Sequence, residues 1–309
     1  MHKILAGLVD YNRLWQSARA LRVAVALAGH LRARVLRVMR RGMQQWHTFI
    51  NQEVGGMSEA LTDLAIATGN ATWVQLAAVF ERPCFIRPLA LHYQRQRQQQ
   101  RHSKTTSAVS TSAVSTSAST SLAASAIERM HGNTHLPQIL GAMARYEATG
   151  DTSLRGAAEA FWRELSSSHQ FATGGSTVSE TWRGALTLGD SVSQVGRASF
   201  GAHDVHETCV SHNSMRVSRR LLMWGDDEAS TDGGGSREGH GAGSGGKGGQ
   251  GGGQRGRSSR DRSGSKGSGG GASHMLEHAA YYERTLLNAV LGTQRGTLPG
   301  SMLYMYAMG

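Results

Sequence analysis

An all-α fold of paired antiparallel helices is the class this sequence predicts, and three observations carry it. Long stretches of Ala, Leu, Val and Arg place apolar residues at helical spacing. Four prolines and 6% aromatic residues in 309 positions do not suggest a β-sandwich. Finally, Thr68-Gly69-Asn70 and Thr149-Gly150-Asp151 each close one periodic run and open another. Glycine suits the left-handed residue that ends a helix, and Asn or Asp can cap the helix that follows.

The elements follow in order. Ile4, Leu5, Leu8, Leu14 and the run from Leu21 to Leu27 predict helix across 4–28. Residues 57–68 pair with 72–80 around the first stop, and 138–148 with 153–165 around the second. Repeated hairpins of this kind build bundles, solenoids or closed toroids, and the pattern alone leaves all three open. Two segments break the order. Residues 94–126 pass from a Gln/Arg tract into SAVSTSAVSTSAST, and residues 230–273 are about half glycine with Ser, Arg and Lys. Neither holds enough apolar surface to offset the entropy of ordering it, so both are expected to be disordered inserts. The chain therefore divides into helices over 1–93, an insert over 94–126, helices over 127–229, an insert over 230–273, and a helical end over 274–309.

The formal charge of +11 raises a nucleic-acid reading. Residues 92–104 carry Arg95, Arg97, Arg101 and Lys104 without an acid, and residues 230–272 carry seven basic and three acidic residues. The excess is accordingly assigned to solvated insert charge, and nucleic acid is not expected as a partner. An RNA-associated helical protein acting through the inserts is the alternative. Cys84 and Cys209 are too few for a disulfide framework, and no C-x-x-C zinc module occurs. No apolar run is long enough to span a membrane, and the opening MHKILAGLVD reads as helix rather than as a signal peptide.

Outside the inserts, a series of short blocks stands in order. His2-Lys3-Ile4-Leu5-Ala6-Gly7-Leu8 opens it, followed by Gly55-Gly56-Met57 and Arg82-Pro83-Cys84-Phe85. His131-Gly132-Asn133-Thr134-His135-Leu136-Pro137 comes next, then Ala172-Thr173-Gly174-Gly175 and Ser179-Glu180-Thr181-Trp182. Glu207-Thr208-Cys209 leads to Arg216-Val217-Ser218-Arg219, and Tyr281-Tyr282-Glu283-Arg284 precedes Leu303-Tyr304. On local grounds alone Glu180 reads as a helix-start glutamate favoured by the dipole, Cys209 as a buried neutral thiol, and His131 and His135 as locally bonded loop histidines.

Taken together, these blocks resemble glycoside hydrolase family 127, and its plant-type members above all. The resemblance implies an (α/α)6 toroid, here incomplete, whose central cleft takes a terminal L-arabinofuranose from an arabinose-containing glycan or glycoprotein. It also implies retaining hydrolysis, in which a zinc-held cysteine thiolate attacks the anomeric carbon and a glutamate protonates the leaving oxygen. That division of labour is physically sound, since retention needs a nucleophile and an acid on either side of the bond and zinc keeps a thiol deprotonated at neutral pH. By the same resemblance Glu180 is the acid/base, Glu207 and Cys209 are two of the zinc ligands, and His2, His131 and His135 contact the sugar. Cys84 is expected in the core.

The sequence departs from the family pattern in one respect that matters for chemistry. The family completes its zinc site with an adjacent Cys-Cys pair that includes the nucleophile, and no such pair occurs here. By the resemblance that pair lies downstream and His2 falls inside an early toroid helix, so the chain is expected to be truncated at both ends, with an incomplete zinc site, and inactive as it stands. An inactive carbohydrate-binding or scaffold relic of the toroid is the corresponding alternative function.

Overall fold

The computed structural model describes residues 1–52, 54–106, 127–189, 205–225, 269–294, 296–298, 300–302 and 305–307. The Ser/Thr repeat over 107–126 and the glycine-rich stretch over 230–268 lie outside the described residues.

The first hairpin is α1 (His2–Trp15) with α2 (Ala18–Met39). The single helical run read across 4–28 is thus broken, because Gln16 takes a left-handed φ of 52° and the Ser17 hydroxyl caps α2 by accepting from Ala20 N at 3.3 Å. Both helices bury a face in one apolar cluster around Leu5, Val9, Ala24 and Ala28, so the periodicity runs on through the turn and hides it. A short α3 (Met43–Ile50) follows, then α4 (Met57–Thr68) and α5 (Thr72–Val79). Gly69 closes α4 at φ 66°, and Asn70 Oδ1 accepts from Thr72 N at 3.0 Å.

Helix α6 (Pro83–Thr106) starts with proline at its first position, where the missing N–H costs nothing. It continues well past residue 94, so the boundary of the first insert falls within a helix. Gln and Arg are good helix formers, and this part of α6 also lies against a neighbour. The Tyr93 ring sits on Gly156, and Arg163 donates to Gln96. The second predicted hairpin is α7 (Gly132–Thr149) with α8 (Thr152–Ser168), joined through Gly150 at φ 74° and the Asp151 cap on Ser153 N at 3.0 Å. Helix α7 begins six residues before 138 because His131 caps it, which outweighs the backbone bond lost at Pro137. Then come α9 (Thr208–Trp224) and α10 (Gly269–Thr285), the latter starting inside the segment read as insert, with a π turn over Leu286–Val290 behind it. Strand β1 (Val205–Glu207) pairs antiparallel with β2 (Met305–Ala307), with Glu207 opposite Met305.

The helices form two layers. In the inner one α1 packs on α4, α4 on α7, and α7 on α9, while α2, α5, α8 and α10 cover their partners from outside and α6 lies along α8. Inner helices run in the same direction. Asn213 reaches Asn133 at 2.9 Å, and seven residues further along both helices Arg220 donates to the Leu140 carbonyl at 2.8 Å. His2 at the start of α1 lies against Gly55 and Gly56 at the start of α4. The chain is all-α, with inner helices that present their N-terminal ends on one side, as an (α/α) toroid requires. Its second apolar cluster, built on Phe85, Ile139, Phe161, Trp182 and Val210, lies between α6, α7, α8 and α9. Cys84 is a correction: it is exposed, and Phe85 takes the buried position beside it.

Where α4 crosses α7 the backbones approach closely. A Cβ on Gly141 would stand 2.7 Å from Ser58 Cβ. Gly141→Ala should destabilise the fold by about 1–3 kcal/mol through overpacking, read as a lower denaturation midpoint at constant slope. Beside this crossing, buried Glu59 accepts from Arg216 at 2.8 Å and from Arg220 at 3.0 Å. One turn on, burial and the Glu59 charge push Asp63 up to about 6. An acid with a raised folded pKa costs stability as pH rises from its unfolded pKa, near 4, through about 6. Asp63→Asn should accordingly stabilise the chain at pH 7 by up to about 3 kcal/mol and by almost nothing at pH 3.5, measured by urea unfolding at both values.

Candidate active site

The site is assembled by a backbone ladder before any catalytic side chain is considered. Residues 180–182 run antiparallel to 129–132, with Arg129 N donating to Trp182 O at 2.8 Å, Trp182 N to Met130 O at 3.1 Å, and Gly132 N to Glu180 O at 2.8 Å. Trp182 anchors this ladder. Its ring is fully buried, meets Phe161 edge-on with centroids 5.5 Å apart, and donates from Nε1 to Ser176 Oγ at 3.2 Å.

Glu180 stands at the tip of a two-residue hairpin. Val178 and Thr181 exchange backbone bonds of 3.0 and 3.2 Å, and both residues between them have positive φ, Ser179 at 50° and Glu180 at 65°. That is the backbone pattern of a type I′ turn, normally filled by Asn or Gly. Neither serine nor glutamate is at home there, and a non-glycine residue held at positive φ is a mark of functional sites. Glu180 is therefore not a helix-start glutamate. The turn lifts its half-exposed carboxyl clear of the sheet and sets Oε2 3.3 Å from His131 Nε2.

His131 has two tasks, and they fix its tautomer. As the N-cap of α7 its Nδ1 accepts from the Thr134 backbone N–H at 3.2 Å. An amide can only donate, so the proton of the neutral ring belongs on Nε2, where it faces Glu180. From the other side comes Glu207, the N-cap of α9, 3% exposed. Burial raises its pKa first of all; a hydrogen bond and the charge of Glu180 raise it further, while the Cys209 thiol and His131 oppose them. Cys209 Sγ lies 3.0 Å from Glu207 Oε2. Four of the six residues named from sequence, His131, Glu180, Glu207 and Cys209, thus converge on one point.

The other two stand apart from it. His135 is buried, one turn into α7, with Nδ1 2.8 Å from the His131 carbonyl, Nε2 2.9 Å from Arg82 Nη1, and an edge-on Phe85 ring against it. Both ring nitrogens are engaged within the protein, so His135 supports the backbone of His131 rather than facing open space. His2 lies on the Gly55-Gly56 turn, where a Cβ on Gly55 would come within 2.6 Å of its Nδ1. A polar chain leads from there toward His131: Glu59 near Gly56, Arg216 on Glu59, Arg216 Nη1 3.4 Å from Asn213 Oδ1, and Asn213 on Asn133. Arg82 and Arg216 also belong to the sequence blocks, where no local pattern assigns them a task. The acid Glu59 within the apolar run 57–68 was the legible sign that a cation must meet it.

The catalytic-domain family model of β-L-arabinofuranosidase, glycoside hydrolase family 127, matches residues 1–233. The chain belongs to this family. No curated protein matches it. The resemblance implies zinc, and the donors here suit that metal in kind, since a carboxylate and a thiol, 3.0 Å apart, are common zinc ligands. They would supply two of the four corners of a tetrahedral site. Among the described residues no third His, Cys, Asp or Glu joins them in a metal-binding group.

Burial of His135, with Arg82 beside it, holds its pKa down at about 4. A histidine with a depressed folded pKa loses stability as pH falls from about 6.5 toward 4, the reverse of Asp63 over nearly the same window. The two offset each other in the native chain. His135→Asn should unmask the Asp63 slope, so that the variant grows more stable between pH 6.5 and 4 while the parent changes little, as followed by thermal unfolding across that range.

Proposed function

We propose that the cluster of His131, Glu180, Glu207 and Cys209 is the proton-donating and metal-holding half of a retaining glycosidase site for terminal β-L-arabinofuranosides. The convergence of a carboxyl, the histidine 3.3 Å from it and a carboxylate–thiol pair, drawn from three separate stretches of a family 127 chain, carries this reading. Glycan hydrolysis is the activity class of the family; the arabinofuranose, the zinc and the individual roles are our assignments.

In this reading Glu180 holds the proton that passes to the glycosidic oxygen as the bond breaks, and its place at a turn tip lets it meet that oxygen from the side of the sugar. His131, whose Nε2 lies 3.3 Å from Oε2, orients the carboxyl. In the second half of retaining hydrolysis the same carboxyl takes a proton from water. Glu207 stands buried beside this pair. Glu207 and Cys209 would be two donors to zinc, which when bound supplies a thiol kept deprotonated and nucleophilic. The sequence has no Cys-Cys pair, so that nucleophile is not assigned to any residue of it. The second reading, a sugar-binding protein without turnover, rests on the same absence.

Two measurements separate them. Cobalt(II) added in place of zinc should give a thiolate charge-transfer band that Cys209→Ser abolishes; a band that survives the substitution rules out Cys209 as a ligand. Hydrolysis of p-nitrophenyl β-L-arabinofuranoside by a family chain bearing this site and the Cys-Cys pair should fall by at least about a hundredfold on Glu180→Gln. Unchanged turnover would remove Glu180 from the acid/base role, and binding of the sugar by the present chain without hydrolysis would favour the second reading.

A further inference from the structure

Residues 11–52 contain eight arginines and no aspartate or glutamate. The charge of the chain is therefore not confined to the low-complexity segments, because a folded helix carries a large part of it. On α2, Ala20, Ala24, Ala28 and Val35 are buried against the core. At 3.6 residues per turn, Arg19, Arg22, Arg34 and Arg37 fall within about a third of the circumference, opposite that buried face, and Arg40 and Arg41 follow in the turn at the end of the helix. All six are exposed. From Arg19 to Arg37 the stripe is about 27 Å long. Of the arginines in 11–52 only Arg13 has an acidic partner, Asp10 at 2.8 Å, among the described residues. A solvated helix face ordinarily interleaves both signs, since like charges one turn apart repel. A one-signed stripe is a feature that a polyanion would neutralise.

The residue types of the stripe bear on the kind of polyanion. All of its full charges are arginines and none is lysine, which favours anions that accept two parallel N–H bonds, as carboxylates and phosphates do. Helix α2 has no aromatic residue on which bases could stack. Its opposite face is packed on α1, which leaves the arginine face open along the surface. We propose that the outer face of α2 is a docking surface for a linear polysaccharide bearing carboxylates, a polyuronate, which would hold the chain on an acidic glycan. The choice of a glycan rests on the family reading above; the anion-binding stripe itself does not.

The test uses the whole chain, with polygalacturonate, neutral arabinan and poly(U) as probes in titrations at matched ionic strength. Polygalacturonate should bind, arabinan should show no dependence on α2, and the polygalacturonate affinity should fall at least about tenfold between low and physiological salt as surface charges are screened. Arg34→Gln/Arg37→Gln/Arg41→Gln should lower that affinity at least about tenfold with no loss of thermal stability, because all three side chains are exposed. The matching triple lysine variant, which keeps the charge and loses the bidentate geometry, should recover only part of it. Binding that the glutamine variant leaves unchanged would overturn the proposal, and so would tighter binding of poly(U) than of polygalacturonate. Binding of methyl β-L-arabinofuranoside should be the same in parent and variant, so failure of the stripe and failure of the Glu180 site are separately visible.

Discussion

The Gly132 N–H bond to the Glu180 carbonyl, with the two bonds beside it, is the constraint on which the candidate site depends. It joins the residue that starts α7 to the tip of the hairpin that precedes α9, across almost fifty positions of chain. Without it the Glu180 turn, with two non-glycine residues at positive φ, would be expected to relax, since such backbone persists only where its surroundings over-determine it. The buried Trp182 indole supplies that determination from below. His131 supplies it from the side, as its backbone belongs to the ladder and its ring to the helix cap.

This arrangement links helix capping to the placement of Glu180. Four orphan N–H groups at a helix start need acceptors. Using an imidazole nitrogen for one of them commits the other nitrogen to donate. The donor then meets the one exposed carboxyl within reach, and behind that carboxyl stands a second, buried one. Glu180 thus stands between His131 and Glu207. The inner helices bring these pieces together because they run parallel and present their starts on the same side. The Glu59–Arg216–Arg220 network ties α4 to α9 one level below. Its two guanidiniums keep a buried carboxylate paired, and breaking such a pair is more costly than never having made it.

Much of this was legible before any coordinates. The two Thr-Gly-Asn/Asp stops marked both hairpins to within a residue or two at their turns, because a left-handed glycine followed by a capping side chain is a local necessity. The site residues, by contrast, were legible only through family resemblance. Glu180 alone looks like a helix-start glutamate, and Cys209 alone like a core thiol. What failed from sequence failed for identifiable reasons. The break at Gln16 was hidden by apolar periodicity that continues across it. Helix α6 was cut short because its Gln/Arg tract resembles the polar segment that follows. The charged face of α2 was missed because its arginines are spread among alanines and valines, and a count by segment does not register which side of a helix they share.

By itself the sequence determined the helical class, the turns that punctuate it and the block order that marks the family, since each is set by residues close together in the chain. Tertiary structure decided which residues meet. It placed His131 on Glu180 and Glu207 on Cys209, moved His135 into the core and His2 onto a glycine turn, and aligned the α2 arginines away from the protein. Those outcomes depend on backbone pairing and helix packing between distant segments, where a hydrogen bond of about 3 Å is set by the geometry of the whole and no local pattern specifies it.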